Sequence, residues 1–180
     1  MVNIYELKLT LLQQRIMRLL FVKAGSTLNM NGMATILKVS QPAILKAVPY
    51  LKKEGLVKAI QDNSSRWSVE LNKEDKKVMG LKRADNLKQL YEIGLVKYIY
   101  DTFPGATVIL FGSYAHGEDT IKSDIDLAVI GSPKKEIDSK FEKILERQII
   151  VNYYKSFNNI DKYLLNNILN GITLKGAVEL

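Results

Sequence analysis

Apolar residues at helical spacing open the chain. Leu11, Leu12, Ile16, Leu19 and Leu20 share one face of a stretch over residues 10–23, while Gln13, Gln14, Arg15 and Arg18 fall largely off it, which predicts an amphipathic helix. After a turn at Gly25 and Ser26, a short segment beginning near Asn29 carries Met33, Ala34 and Leu37, and Lys38-Val39 leads to a second helix start at Ser40. Ser40 has the side chain of an N-cap, and Pro42 falls in the first turn, where its missing N–H costs nothing. Ile44, Val48 and Leu51 then continue an apolar stripe to a stop at Gly55. Pro49 cannot donate to the Leu45 carbonyl, so a bend is expected there. Residues 56–60 and 67–71 favour strands, and Gln61-Asp62-Asn63-Ser64-Ser65-Arg66 between them is turn chemistry, which predicts a β-hairpin.

Residues 72–84 are polar and lysine-rich, a linker or connecting helix, and place a domain boundary near residue 80. A helix is expected over 86–103, with Leu87, Leu90, Tyr91, Leu95, Tyr98 and Ile99 in register and Pro104-Gly105 as its stop. Strands follow at 107–111, 125–130 and 148–154, with helices at 137–146 and 160–169, the last closed by Gly171. The fold class expected is therefore a two-domain α+β and α/β chain, with a small mixed sheet flanked by helices in its second half.

The order helix, short helix, turn, capped helix, hairpin over about residues 8–72 resembles the winged helix-turn-helix domains of prokaryotic regulators. The resemblance is carried mainly by Val39-Ser40-Gln41-Pro42-Ala43 and by Leu51-Lys52-Lys53-Glu54-Gly55-Leu56-Val57. It implies a DNA-binding domain over 1–72, a connection over 73–85 and a second domain over 86–180. The helix beginning at Ser40 would enter the major groove, with Gln41 and Lys46, and at its margin Leu45, turned outward and Arg66 at the wing. Lys52 and Lys53 are weaker candidates, since a solvated helix end explains them as well.

Charge sharpens this. Residues 1–80 carry 13 Lys and Arg against 6 Asp and Glu, an excess of +7 equal to that of the whole chain, whereas 81–180 carry 13 of each. A basic half suits duplex DNA, because neutralising phosphates releases counterions. No apolar run approaches the roughly 20 residues of a membrane-spanning helix, and residues 1–8 lack the layout of a signal peptide, so a cytoplasmic protein without a membrane partner is expected. With no cysteine and a single histidine, His116, carboxylates and amides are the plentiful metal ligands, and any metal should be a hard one.

The most specific signal is Phe111-Gly112-Ser113-Tyr114-Ala115-His116-Gly117 followed by Ser123-Asp124-Ile125-Asp126-Leu127. Glycine lets the backbone approach a phosphate closely, the first turn of a helix offers unpaired N–H groups, and Ser113 adds a hydroxyl. Asp124 and Asp126 are two apart on an extended segment, so their carboxylates share a face and repel unless a cation joins them. Magnesium or manganese fits that need. The two segments together resemble the signature of the nucleotidyltransferase superfamily, especially its minimal members, over about residues 86–180. The resemblance implies that Gly112, Ser113 and Ser123 hold the nucleoside triphosphate (NTP), while Asp124 and Asp126 bind two divalent ions and act in catalysis.

Active members of that superfamily carry a third carboxylate on the following strand. By eye the matching position is Asn152, a third metal ligand that can coordinate through its carbonyl oxygen but cannot act as a base. Glu142 or Glu146 on the preceding helix are alternatives, and His116 reads as a surface or supporting residue. Two functions follow: transfer of a nucleoside monophosphate to a hydroxyl on a protein, nucleic acid or small molecule, or a DNA-binding regulator that senses nucleotide without turnover. A protein acceptor and a homodimer are both expected as partners by analogy.

Overall fold

The computed structural model describes residues 8–61 and 66–179. It divides into two units, Met1–Val78 and Met79–Leu180.

In the first unit, α1 (Leu11–Val22) is opened by a capping box: the Thr10 hydroxyl accepts from the Gln13 N–H, and the Gln13 side chain accepts from the Thr10 N–H. This reverses part of the predicted face. Gln13 is buried, donating its amide to the Ala47 carbonyl, whereas Leu11, the first residue of the helix, is 73% exposed. A two-residue strand β1 (Leu28–Asn29), not anticipated from sequence, leads into α2 (Met30–Leu37), which Asn29 caps. The next helix, α3 (Gln41–Lys53), buries Ile44, Ala47, Val48 and Leu51. Ser40 is its N-cap by position, but its hydroxyl makes no capping hydrogen bond, and the helix runs through Pro49. Strands β2 (Val57–Gln61) and β3 (Trp67–Leu71) pair antiparallel, Val57 opposite Leu71 and Gln61 opposite Trp67, and β1 joins the far side of β3. The predicted turn between β2 and β3 lies outside the described residues at 62–65. This succession is a winged helix-turn-helix fold.

The polar stretch after β3 is mostly helical, as α4 (Lys76–Glu92), and the helix expected over 86–103 is in fact two. Gly94, at φ +79°, breaks it, and α5 (Leu95–Thr102) starts from that left-handed residue. The apolar spacing of Tyr91, Leu95 and Tyr98 continues across the break, which is why the pattern hid it.

The second unit is built on β4 (Thr107–Phe111), the short α6 (Gly112–His116), β5 (Ile125–Ile130), α7 (Lys140–Leu145), β6 (Ile149–Tyr154), α8 (Lys162–Leu169) and β7 (Ile172–Lys175). The sheet order is β6-β5-β4-β7, with β5 and β6 parallel and the other pairs antiparallel. β4 and β5 are nearly continuous apolar runs because both faces of the sheet are covered. One face packs Leu110, Leu127 and Val129 against Ile99, Phe103 and Phe141. The other packs Ile109, Phe111 and Ala128 against Phe157 and Ile168 of the α8 side. Strand β7 was missed from sequence, being four residues long with a burial pattern that does not alternate cleanly.

Candidate functional site

Antiparallel pairing sets Phe111, the last residue of β4, opposite Asp126 on β5, so the turn that begins at Gly112 emerges beside that carboxylate. Gly112 has φ +72°, and a β-carbon on it would lie 2.6 Å from Asp126 Oδ2 and 3.4 Å from Cγ. Only glycine allows this contact, for two reasons: the left-handed backbone and the absence of a side chain where the carboxylate sits. Asp124 is exposed just ahead of β5, while Asp126 is half-buried within it. Burial raises the Asp126 carboxyl above the ordinary aspartate range, and the charge of Asp124 raises it further. A carboxyl whose ionisation is opposed by burial and by a neighbouring acid is one that a cation would stabilise.

Ser113 sits half-buried in α6, its carbonyl accepting from the Glu118 N–H at 2.9 Å. With only five residues, α6 provides one turn of N–H groups rather than a long dipole. Gly117 closes it at φ +77°, where a β-carbon would lie 2.8 Å from the Met79 carbonyl oxygen and the Arg83 nitrogen of α4. The Ser123 hydroxyl accepts from the Thr120 N–H at 3.0 Å and so shapes the loop into Asp124. His116 is half-buried at the end of α6.

The register of the parallel pair places the third position relative to Asp126. Ile150, not Asn152, is opposite Asp126, and Asn152 is opposite Ala128, two residues farther along the same face. At about 3.3 Å per residue that is roughly 6–7 Å from the row of Asp126. Of the two glutamates, Glu142 accepts the Ile149 N–H at 2.9 Å and pins the turn into β6, and Glu146 is the left-handed C-cap of α7 at φ +53°. Among the described residues, no three His, Cys, Asp or Glu side chains converge on a metal position.

Beneath the loop between α6 and β5 lies a buried polar cluster that the sequence did not reveal. Asp119 is 1% exposed and takes hydrogen bonds from Lys82 Nζ, from Asn86 Nδ2 at 2.7 Å and from Arg147 Nη2 at 2.9 Å. Arg147 also donates to the carbonyls of Thr120 and Ser123, and Asn86 donates to the Tyr114 carbonyl at 3.0 Å. Burial pulls the Lys82 ammonium below its ordinary value, and the hydrogen bond and charge of Asp119 oppose that. The cluster ties α4, the end of α6 and the start of β6 to the segment that delivers Asp124. Lys82 falls in the stretch that reads as a solvated linker, and Asp119 in a polar loop, so only their burial marks them.

Residues 93–173 match the family model described as nucleotidyltransferase domain. The C-terminal unit carries a nucleotidyltransferase domain. Its glycine-serine turn and Asp-x-Asp pair occupy facing ends of β4 and β5 within the matched span. No curated protein matches the chain. Among solved structures, the chain is similar to the adhesin competence repressor AdcR from Streptococcus pyogenes, at 21% identity and TM-score 0.42 over 57% of this chain and 72% of that one. It is also similar to a point mutant of Lactococcus lactis ZitR (19% identity, TM-score 0.42, 58% and 68%) and to the transcriptional regulator BldR from Sulfolobus solfataricus (23%, 0.37, 53% and 64%).

In the first unit, Gln41 and Lys46 are exposed on α3, and Arg66 is exposed just before β3. No helix among the described residues is long and apolar enough to cross a membrane.

Proposed function

We propose that the chain is a DNA-binding regulator whose nucleotidyltransferase domain binds an NTP together with a divalent metal and does not turn it over. The observation that carries this reading is the pairing of Ile150 with Asp126. Asp124 and Asp126 remain to hold Mg²⁺ or Mn²⁺, but the neighbouring strand offers no carboxylate to complete the metal shell or to take the proton of an attacking hydroxyl.

The site's residues divide the binding work. The first-turn N–H groups after Gly112 and the Ser113 hydroxyl suit phosphate oxygens. Asp124 and Asp126 suit a hard cation, and Gly112 gives the phosphates and the Asp126 carboxylate room on the same side of the sheet. A metal bound there supplies neutralisation of the triphosphate charge. The Asp119 cluster holds the loop carrying Asp124 in place before ligand arrives. On the DNA side, the +7 excess of residues 1–80 and the exposed Gln41 and Lys46 on α3 support docking of that helix in the major groove with the hairpin beside the backbone.

Transfer of a nucleoside monophosphate to a hydroxyl acceptor, such as a partner protein, is the second reading, favoured by the intact Gly112-Ser113 and Asp124-x-Asp126. Incubation with each of four labelled NTPs and magnesium separates the two. The proposal expects no pyrophosphate release above background from the wild type and a gain of release or self-labelling in Ile150→Asp, with Asn152→Asp remaining silent. Wild-type label transfer to any acceptor would replace the regulator reading with the enzyme reading.

A further inference from the structure

The outward face of α3 has an unusual chemistry for a helix expected to meet a polyanion. Ile44, Ala47, Val48 and Leu51 are buried, and the opposite side presents Gln41, Pro42, Leu45, Lys46 and Pro49 to solvent. Three of those five side chains are apolar, and Leu45 is 38% exposed. None is an arginine, an asparagine or a carboxylate. Leu45 follows Gln41 by four residues, and Pro49 follows Leu45 by four, so the apolar groups and the amide line adjacent rows of one face.

Resting on the DNA-binding reading above, we propose that α3 reads A·T base pairs, with Leu45, Pro42 and Pro49 packed against thymine methyl groups and Gln41 hydrogen-bonded to adenine. The major groove exposes a single apolar group, the thymine C5-methyl, whereas G·C pairs present the N7 and O6 acceptors of guanine and the N4 donor of cytosine. Leu45 and the two prolines satisfy none of those polar groups. Set against a G·C edge, they would strip its water and return no hydrogen bond. The prolines lose almost no side-chain entropy on contact, so they cover a methyl at little ordering cost. Gln41, at the first position of the helix, has the amide geometry that pairs with adenine N6 and N7. Lys46 lies on the same face and, with Lys53 in the last turn, supplies the charge for flanking phosphates. The basic excess of residues 1–80 favours this occupant over an apolar protein surface.

The test uses the full chain and duplexes selected from a randomised library, followed by replacement of thymine with deoxyuridine in the selected sites. That exchange removes the C5-methyl and leaves base pairing and the minor groove intact. Selected sites should be A·T at the positions under the helix, and each contacted methyl removed should weaken binding about fourfold. Leu45→Ala, at an exposed position, should keep its melting temperature and its salt slope while losing sensitivity to one methyl. Selection of G·C pairs, or binding indifferent to uracil, would overturn the readout and leave DNA binding standing. Absence of any salt-dependent binding by the full chain would overturn both.

Discussion

Gly112→Ala isolates the contact on which the metal site depends. Two costs are added by one methyl group. The backbone is at φ +72°, where an L-residue with a β-carbon is destabilised by about 1–2 kcal/mol. The new carbon would also lie 2.6 Å from Asp126 Oδ2, so the carboxylate has to turn away. Oδ2 is the free end of a short side chain, and moving it off its rotamer costs about 0.5–1.5 kcal/mol rather than the fold. Gly131 supplies the control: it has φ +82° and nothing within 4 Å of its β-carbon position, so Gly131→Ala carries the backbone strain without the collision. Thermal melts of both variants should fall by a similar amount, roughly 2–8 °C for a chain of this size, with Gly112→Ala slightly lower. Calorimetric titration with MgNTP should then separate them. Displacing a carboxylate from the cation should weaken binding at least about tenfold in Gly112→Ala, while Gly131→Ala binds as the wild type does. Wild-type affinity in Gly112→Ala would refute the argument, as would an equal loss in both.

Because burial and Asp124 raise the Asp126 carboxyl, the folded chain keeps a proton there to higher pH than the unfolded chain. The stabilising contribution is therefore present at acid pH and lost as pH rises through the folded-state value. Asp126→Asn should accordingly raise the ligand-free melting temperature at neutral pH, on the order of 1–2 °C, with the gain disappearing in acid, while metal-dependent binding is lost. Asp119→Asn leaves Lys82 and Arg147 without their shared buried carboxylate and should destabilise the second unit by about 3–5 kcal/mol in denaturant titrations. A loss under about 1 kcal/mol would mean that the cluster is solvated in solution. Lys46→Ala should weaken binding to all DNA sequences and flatten the dependence of log affinity on log salt by about one, and an unchanged slope would remove Lys46 from the interface.

What could be read from the sequence follows from how local each signal is. β4 and β5 are apolar runs bounded by turn residues, so their limits at 107–111 and 125–130 are written in the chain itself. The Gly-Ser turn and the Asp pair belong to those strand ends, and their approach across the sheet needed only the antiparallel pairing of β4 with β5. The position beside Asp126 on β6 was different. It depends on the register of a parallel pair joined through α7, and nothing in Ile149-Ile150-Val151-Asn152 fixes that register by composition. The pairing sets Ile150 beside Asp126 and Asn152 two residues farther along the same face. The Asp119 cluster was hidden for a related reason. Lys82 and Asn86 sit in a helix whose sequence is polar nearly all round, and a charge buried by tertiary packing has the same appearance in sequence as one left in water. Leu11 and Gln13 exchanged places because the capping box, a hydrogen-bonding device, outweighed the apolar stripe at the first turn.

The central claim is that Gly112, Ser113, Asp124 and Asp126 form one metal-dependent nucleotide site. Its most direct test is calorimetric titration of the full chain with each NTP, with magnesium and with chelator, for the wild type and Asp126→Asn. Binding that requires magnesium in the wild type and is lost in Asp126→Asn is the predicted result. Nucleotide binding of equal affinity with chelator present, or unchanged magnesium-dependent binding in Asp126→Asn, would contradict it.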